Sequence, residues 1–235
     1  MTELINKLRL DLLICIALLL LFLLFPQIDL WVSNLFYLPE SGFHLDKQPL
    51  IYGIYKVFAD IHFFVFFGLL IFWLVKRLKG KEYQLSQRRK ALFLLMVLAI
   101  GPGLIVNEVF KAHSERARPR DVVEFGGDKM FTPLLEFKDQ CSRNCSFVSG
   151  HAGMGFFFIS LAWVFRQRRW LVLGIVIGAV VGGGRIMQGA HFFSDVIFAF
   201  WVVYWTSLLI ARWYLGIREI VPQRDSQLVT TRPKN

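Results

Sequence analysis

Two histidines and an aspartate in this 235-residue chain have the types and spacing to do chemistry. His191 and Asp195 are four residues apart, hence on one face of a helix, so the carboxylate can accept an imidazole N–H and fix its tautomer. Ser149-Gly150-His151 opens an apolar run, where free backbone N–H groups and the positive end of a helix dipole favour a bound phosphate. Ser149 also suits a helix N-cap. Cations stand near these groups in sequence: Lys111 and Arg118 within Lys111-Ala112-His113-Ser114-Glu115-Arg116-Ala117-Arg118-Pro119, and Arg185 six residues before His191. Arg offers a bidentate fork to phosphate oxygens and Lys a point charge. Each piece alone has a plainer explanation: a histidine at a helix start is commonly structural, and a His-x3-Asp pair is commonly a helix-surface hydrogen bond. Their joint occurrence points to phosphoryl transfer.

The elements that must position these groups are apolar. Hydrophobic residues make up 55% of the chain and charged residues only 19%, clumped so that stretches near the roughly 20 residues needed to cross a bilayer remain between them. Six such stretches are expected, at about Leu10–Gln27, Ile51–Val75, Ala91–Phe110, Val148–Phe165, Trp170–Met187 and Phe192–Leu215. The first resembles a secretory signal, but no small-residue cleavage pattern follows it, only Phe25-Pro26-Gln27-Ile28-Asp29-Leu30-Trp31, so it reads as a retained anchor. The fold class is therefore all-α, a polytopic six-transmembrane-helix bundle forming a single domain over residues 1–235, with a short cytoplasmic tail at 216–235.

Orientation follows from the excess of Lys and Arg in cytoplasmic loops. The loop at 76–90 holds Lys76, Arg77, Lys79, Lys81, Arg88, Arg89 and Lys90, and the turn before Trp170 holds Arg166, Arg168 and Arg169. Lys7 and Arg9 at one end and Arg218, Arg224, Arg232 and Lys234 at the other agree, which puts both termini inside. All three chemical clusters then fall at the outer surface. A cationic helix exit there runs against the positive-inside rule, and charged groups at a membrane edge are costly enough that function is the default reading. The net charge of +10 sits mostly in the inner loops, where topology and anionic headgroups explain it better than nucleic acid.

Taken in order, Lys111-x6-Arg118-Pro119, Ser149-Gly150-His151 and Arg185-x5-His191-x3-Asp195 resemble the three-part signature of the type 2 phosphatidic acid phosphatase (PAP2) superfamily. Gly101-Pro102-Gly103 through Lys111, Asn144-Cys145-Ser146-Phe147-Val148-Ser149-Gly150-His151 and Gln188-Gly189-Ala190-His191-Phe192-Phe193-Ser194-Asp195 are most similar to the bacterial lipid A 4'-phosphatases. Val148 stands where Pro usually precedes Ser-Gly-His, and Gly184 where Ser usually precedes Arg, which removes one phosphate donor. The resemblance implies that His191 attacks phosphorus to give a phosphohistidine, that Asp195 holds its other nitrogen, and that His151 protonates the leaving oxygen and later deprotonates water. Lys111, Arg118, Arg185, Ser149 and the Gly150 N–H would bind the phosphate. No metal or cofactor is expected, since the three cations supply the charge neutralisation.

The implied substrate is the 4'-phosphate of lipid A, hydrolysed at the periplasmic face of a bacterial inner membrane. Undecaprenyl pyrophosphate, phosphatidylglycerol phosphate and phosphatidic acid are alternatives, as are a phosphotransferase and, from another class, a transporter or membrane scaffold. The partner is a membrane lipid, with neither nucleic acid nor an obligatory protein partner evident. His44, His62 and His113 fall on no motif position and read as loop or packing residues, Asn107 and Glu108 as groups that hold the site together. Pro102 between two glycines is expected to bend its helix, and Gly182-Gly183-Gly184 to permit close helix packing. Cys141 and Cys145 lie in the large outer loop, where the compartment oxidises thiols, so a disulfide is one reading and zinc held with His151 another, the latter lacking a fourth ligand.

Overall fold

A computed structural model describes residues 2–78, 84–136, 138–142, 144–217 and 220. Lys79, Lys81 and the tail beyond Ile217, Ile220 excepted, lie outside the described residues, as do the side chains of Lys7 and Arg9. The described residues form helices joined by irregular loops, with isolated bridges but no strand.

Helix α1 (Thr2–Leu24) stops short of Pro26, which has no N–H to give and disfavours helix in the residue before it. The chain turns by 82° into α2 (Gln27–Asn34), whose buried residues are Asp29 and Ser33. The expected first span thus ends three residues early and its continuation runs crosswise. Helix α3 (Pro49–Leu78) begins with proline at its first position, where a missing N–H is harmless, and the Gln48 side chain accepts the Ile51 N–H at 2.9 Å. None of its residues is buried, and it turns Phe63, Phe64, Phe67 and Ile71 outward, as a helix bathed in lipid would.

Helix α4 (Leu85–Phe110) widens into π-type turns over Ala99–Phe110. Pro102 cannot donate and crowds the carbonyl one turn back, and the wider turns absorb that disturbance while the rod remains continuous. Asn107 Nδ2 donates to the Pro102 carbonyl at 2.8 Å. Helix α5 (Gly150–Phe165) tightens at Phe157–Ser160 and ends at Arg166, which adopts the left-handed conformation. Helix α6 (Arg168–Met187) carries Gly174, Gly178 and Gly182 on one face. A methyl at any of them would fall 2.1–2.3 Å from Ile159, Phe156 or Val196, so these glycines let α6 lie against α5 and α7. Of the expected triple only Gly182 makes such an approach: Gly183 meets nothing within 4 Å and Gly184 only an ordinary contact. Helix α7 (Phe193–Leu215) is capped by Asp195, whose carboxylate accepts the Phe192 N–H at 2.8 Å.

Four of these helices, α3, α4, α6 and α7, are long and apolar enough to cross a bilayer, and α1 with α2 makes a fifth if the bent pair is one span. At 16 residues α5 is shorter than a full crossing requires. The chain is therefore a multi-pass membrane protein whose buried core is built from α4, α5 and α7, among them Phe93, Val97, Val106, Ala152, Ile159, Trp163 and Val203. A second cluster of Ala117, Val122, Phe125 and Phe192, backed by Tyr37, Phe43 and Phe131, ties the loops at the other end together.

Candidate active site

Three chain segments meet at that loop-bearing end, and backbone hydrogen bonds fix their register. Ser146 N–H donates to the Arg116 carbonyl at 2.9 Å, Ser149 N–H to the Asp195 carbonyl at 3.2 Å, and Arg120 N–H to the Gly189 carbonyl at 3.0 Å. The motif around Lys111, the one around Ser149 and the one around His191 are thereby bound into one unit.

Lys111 leaves the last turn of α4 and points its ammonium to Asn144 Oδ1 at 3.0 Å, while Arg118 Nη2 donates to the Asn144 carbonyl at 2.8 Å. Gly150 sits against them: a methyl there would lie 2.9 Å from Asn107 Oδ1 and 3.3 Å from Lys111 Nζ. Arg185 stacks on Tyr55, 4.6 Å from the ring centre, and donates to Gln188, whose amide reaches the Asp46 carbonyl at 3.2 Å. The His151 ring lies 5.1 Å from the same Tyr55 ring. His151 is within electrostatic reach of Arg185, His191, Lys111 and Arg118, so the two imidazoles and three cations share one locus. Burial, with Arg118 and Arg185 beside it, brings the Lys111 ammonium down to about 8. Burial also lowers Arg118 from its ordinary value, and Arg120 adds to the effect.

His191 is 1% exposed. Its Nδ1 lies 2.7 Å from the Ser146 carbonyl oxygen and 3.6 Å from Asp195 Oδ2, so the nearest acceptor is the backbone carbonyl and the expected carboxylate stands behind it. The reason is that Asp195 is already occupied: Oδ1 accepts from Arg116 Nη1 at 2.6 Å, and Oδ2 from the Phe192 N–H and the Ser146 hydroxyl. A carbonyl can only accept, so the Nδ1 proton is fixed and Nε2 keeps its lone pair. Nε2 of His191 and of His151 are both buried without a partner. Burial pushes the His191 imidazole down to about 3, against the pull of Asp195, which leaves it neutral at ordinary pH. Ser149 caps α5 by accepting the Ala152 N–H at 3.4 Å.

The sequence reading missed several supports. Tyr55 lies in a segment with no motif to mark it, and Asn144 and Gln188 open two of the resembling strings without having been given a role there. Asp29 and Arg116 had a signal, an acidic residue beside an apolar run and an arginine inside the first motif. Asn107, expected to hold the site together, ties its Nδ2 to the Pro102 carbonyl of its own helix and turns its Oδ1 toward Gly150. His113 Nδ1 donates to the Val109 carbonyl of its own helix at 2.9 Å, and His62 packs 4.0 Å from the Phe63 ring. Cys141 and Cys145 form a disulfide, which leaves no thiolates for zinc. Among the described residues no three His, Cys, Asp or Glu side chains converge as metal ligands.

A cleft of about 360 Å³ runs between α3 and α4 to this locus. Phe58, Phe63, Phe66, Phe67, Leu98 and Met154 line its apolar length, and Lys111, Gly150 and His151 close its end. An apolar trough ending at a lysine ammonium and an imidazole matches a molecule with a hydrocarbon body and an anionic head.

A helical membrane bundle with two imidazoles and three cations grouped beside an apolar cleft defines a class of membrane protein that handles lipid phosphates. Residues 90–219 match the PAP2 superfamily, and the chain belongs to that superfamily. It is similar to the lipid A 4'-phosphatase of Francisella tularensis subsp. novicida (strain U112), 36% identical over 207 residues that cover 83% of this chain and 93% of that protein. The lipid A 4'-phosphatase of Rhizobium leguminosarum is 32% identical over 211 residues, 83% of this chain and 88% of the relative. That of Rhizobium etli is 32% identical over 198 residues, 77% and 76% respectively. No solved structure is significantly similar.

Proposed function

We propose that this protein is a lipid phosphatase that removes the 4'-phosphate of lipid A at the periplasmic face of a bacterial inner membrane, through a phosphohistidine on His191. The observation that carries the proposal is the grouping of Arg118, Arg185 and His191 around Lys111 and His151, which themselves line the end of an apolar cleft. The names of the three relatives support the substrate. The opposite end of the bundle gathers Arg89, Lys90, Arg166 and the end of α7 around a cavity of about 460 Å³, which supports a cytoplasmic assignment for that end by the positive-inside rule. Both termini and the tail from residue 216 then lie inside, and residues 1–235 act as a single catalytic domain.

In the first step His191 Nε2 forms a bond to phosphorus, the bond from phosphorus to the sugar oxygen breaks, and protonated His151 gives its proton to that oxygen. In the second, neutral His151 takes a proton from water, the water oxygen bonds to phosphorus, and the nitrogen–phosphorus bond breaks to release inorganic phosphate. Lys111, Arg118, Arg185 and the Gly150 N–H neutralise the nonbridging oxygens in both steps, where electrostatic stabilisation is the larger part of phosphoryl-transfer catalysis. Losing one phosphate reduces the surface charge that attracts cationic antimicrobial peptides.

Purified protein in detergent should release inorganic phosphate from lipid A, with mass spectrometry showing loss of a single HPO₃ unit from the 4' position. His191→Ala should abolish release while remaining folded. Undiminished release by that variant would overturn the nucleophile, and release from phosphatidic acid but not lipid A would overturn the substrate.

A further inference from the structure

We propose that Asp29, on the crosswise helix α2 and outside the region that matches the superfamily, is a positioning residue for His191, acting through Arg116 and Asp195. This rests on His191 being the nucleophile.

Arg116 is 2% exposed and uses all three guanidinium nitrogens. Nε donates to the Thr132 carbonyl at 2.8 Å, Nη1 to Asp195 Oδ1 at 2.6 Å and Ser194 Oγ at 2.9 Å, and Nη2 to Asp29 Oδ2 at 2.7 Å. Its plane stacks on Phe192, 4.4 Å from the ring centre. Asp29, 1% exposed, also accepts the Ser194 N–H at 2.8 Å through Oδ1, and the Ser194 hydroxyl through Oδ2. Two carboxylates thus clasp one guanidinium through its two terminal nitrogens, and the second carboxylate comes from the crosswise helix α2.

The charge arithmetic gives the clasp its purpose. Arg116 alone would cancel the charge of Asp195 and leave nothing to oppose the positive charge that develops on the His191 ring as Nε2 bonds to phosphorus. As the carboxylate, Asp29 cancels Arg116 in turn, so the chain Asp29–Arg116–Asp195 carries one net negative charge, with Asp195 Oδ2 3.6 Å from Nδ1. Burial and the two carboxylates act on Arg116 in opposite directions, and the carboxylates win: its pKa is raised, so it stays charged. The clasp also holds Asp195 in the rotamer that receives the Ser146 hydroxyl, and with it the Ser146 carbonyl that takes the Nδ1 proton. A buried charge with an unbalanced partner is costly, so the pairing of Asp29 with Arg116 stabilises the sharp turn at Pro26 that brings the two together.

The test compares Asp29→Asn and Ser194→Ala with the wild-type protein in detergent, reading kcat and KM for phosphate release from lipid A, and Ki for inorganic phosphate. Asp29→Asn keeps the shape and removes the charge. Its kcat should fall about 10- to 100-fold, the range for outer-shell partners, with KM and phosphate Ki within about twofold because the three binding cations are untouched. Ser194→Ala, which keeps both charges and loses one bridge, should lose several-fold in kcat only. In the Asp195→Asn background Asp29→Asn should add little, since both act on one group. Unchanged kcat for Asp29→Asn overturns the proposal. So does a parallel loss of kcat and phosphate Ki, which would give Asp29 a role in the fold alone. If Asp29→Asn aggregates, Ser194→Ala decides, and wild-type kcat in that variant overturns the proposal. His191→Ala with wild-type turnover would instead overturn the nucleophile reading, whatever Asp29→Asn does.

Discussion

The Nδ1 atom of His191 lies 2.7 Å from the carbonyl oxygen of Ser146, nearer than the 3.6 Å to the Asp195 carboxylate, so a main-chain group sets the tautomer of the proposed nucleophile. Ser146→Ala keeps that carbonyl and loses only the hydroxyl that donates to Asp195. A hydrogen bond to a charged group is worth roughly 1.5–3 kcal/mol, so stability should fall by about that much while turnover drops less than about tenfold. Asp195→Asn leaves the buried Arg116 short of a partner and should cost about 3 kcal/mol or more, with a larger loss of turnover. Thermal melts and phosphate release measured side by side check the order.

Lys111 gives the pH dependence. Its folded pKa of about 8 means that free enzyme loses this cation as pH rises through 8, and a bound phosphate pulls the proton back on. The alkaline fall should therefore show in kcat/KM near pH 8 and be weaker in kcat. Lys111→Arg keeps its charge well beyond that pH and should move the fall upward. A fall at the same pH in both proteins would assign it to another group.

How far the sequence carried the reading depends on what held each residue in place. Lys111, Arg118, His151, Arg185 and His191 were legible because their chemistry is unusual at a membrane edge and their order is shared with a known signature. The helices were legible from apolar run length alone, since a bilayer demands it. The bend at Pro26 was not foreseen, because a proline within an apolar run says only that the helix is disturbed and leaves the direction of the next segment to tertiary contacts. Those contacts are the clasp of Asp29 on Arg116, which joins residues 87 positions apart and leaves no periodic trace. Gly174 and Gly178 were passed over for the adjacent glycine triple, although spacing by four is what one helix face requires.

Gly150 tests how tightly the phosphate site is built. Gly150→Ala puts a methyl 2.9 Å from Asn107 Oδ1 and 3.3 Å from Lys111 Nζ. Lys111 is a flexible side chain and can yield, so the fold should survive with alanine favoured in the helix by up to about 1 kcal/mol. The ammonium shifts by a few tenths of an ångström, so the loss in rate should be smaller than the roughly 100-fold that a 1 Å misplacement brings. A variant that melts at or above the wild-type temperature yet has lost most of its turnover is the expected result.

Turnover should be undiminished in EDTA. Under the proposed mechanism Lys111, Arg118 and Arg185 neutralise the phosphate charge directly and repel a divalent cation from the same place. Phosphate release assayed with and without chelator, after extended dialysis, measures this, and recovery of activity on adding back magnesium or zinc would refute it.

The Cys141–Cys145 disulfide closes a loop of five residues that includes Asn144, and Asn144 is the shared partner of Lys111 and Arg118. Chain-entropy reasoning puts the stabilisation from so short a loop at about 2 kcal/mol. Its second effect falls on substrate binding: with the bridge open, Asn144 is held less firmly, and the two cations it orients lose their common acceptor. Reduction, or Cys141→Ser with Cys145→Ser, should lower the melting temperature by several degrees. It should also raise KM several-fold with little change in kcat, because the imidazoles and their Ser146 and Asp195 supports are held by other contacts. Mass spectrometry of alkylated protein from native membranes should find Cys15 labelled and the other two protected. Labelling of all three thiols in active enzyme would show that the bridge is not needed to hold Asn144.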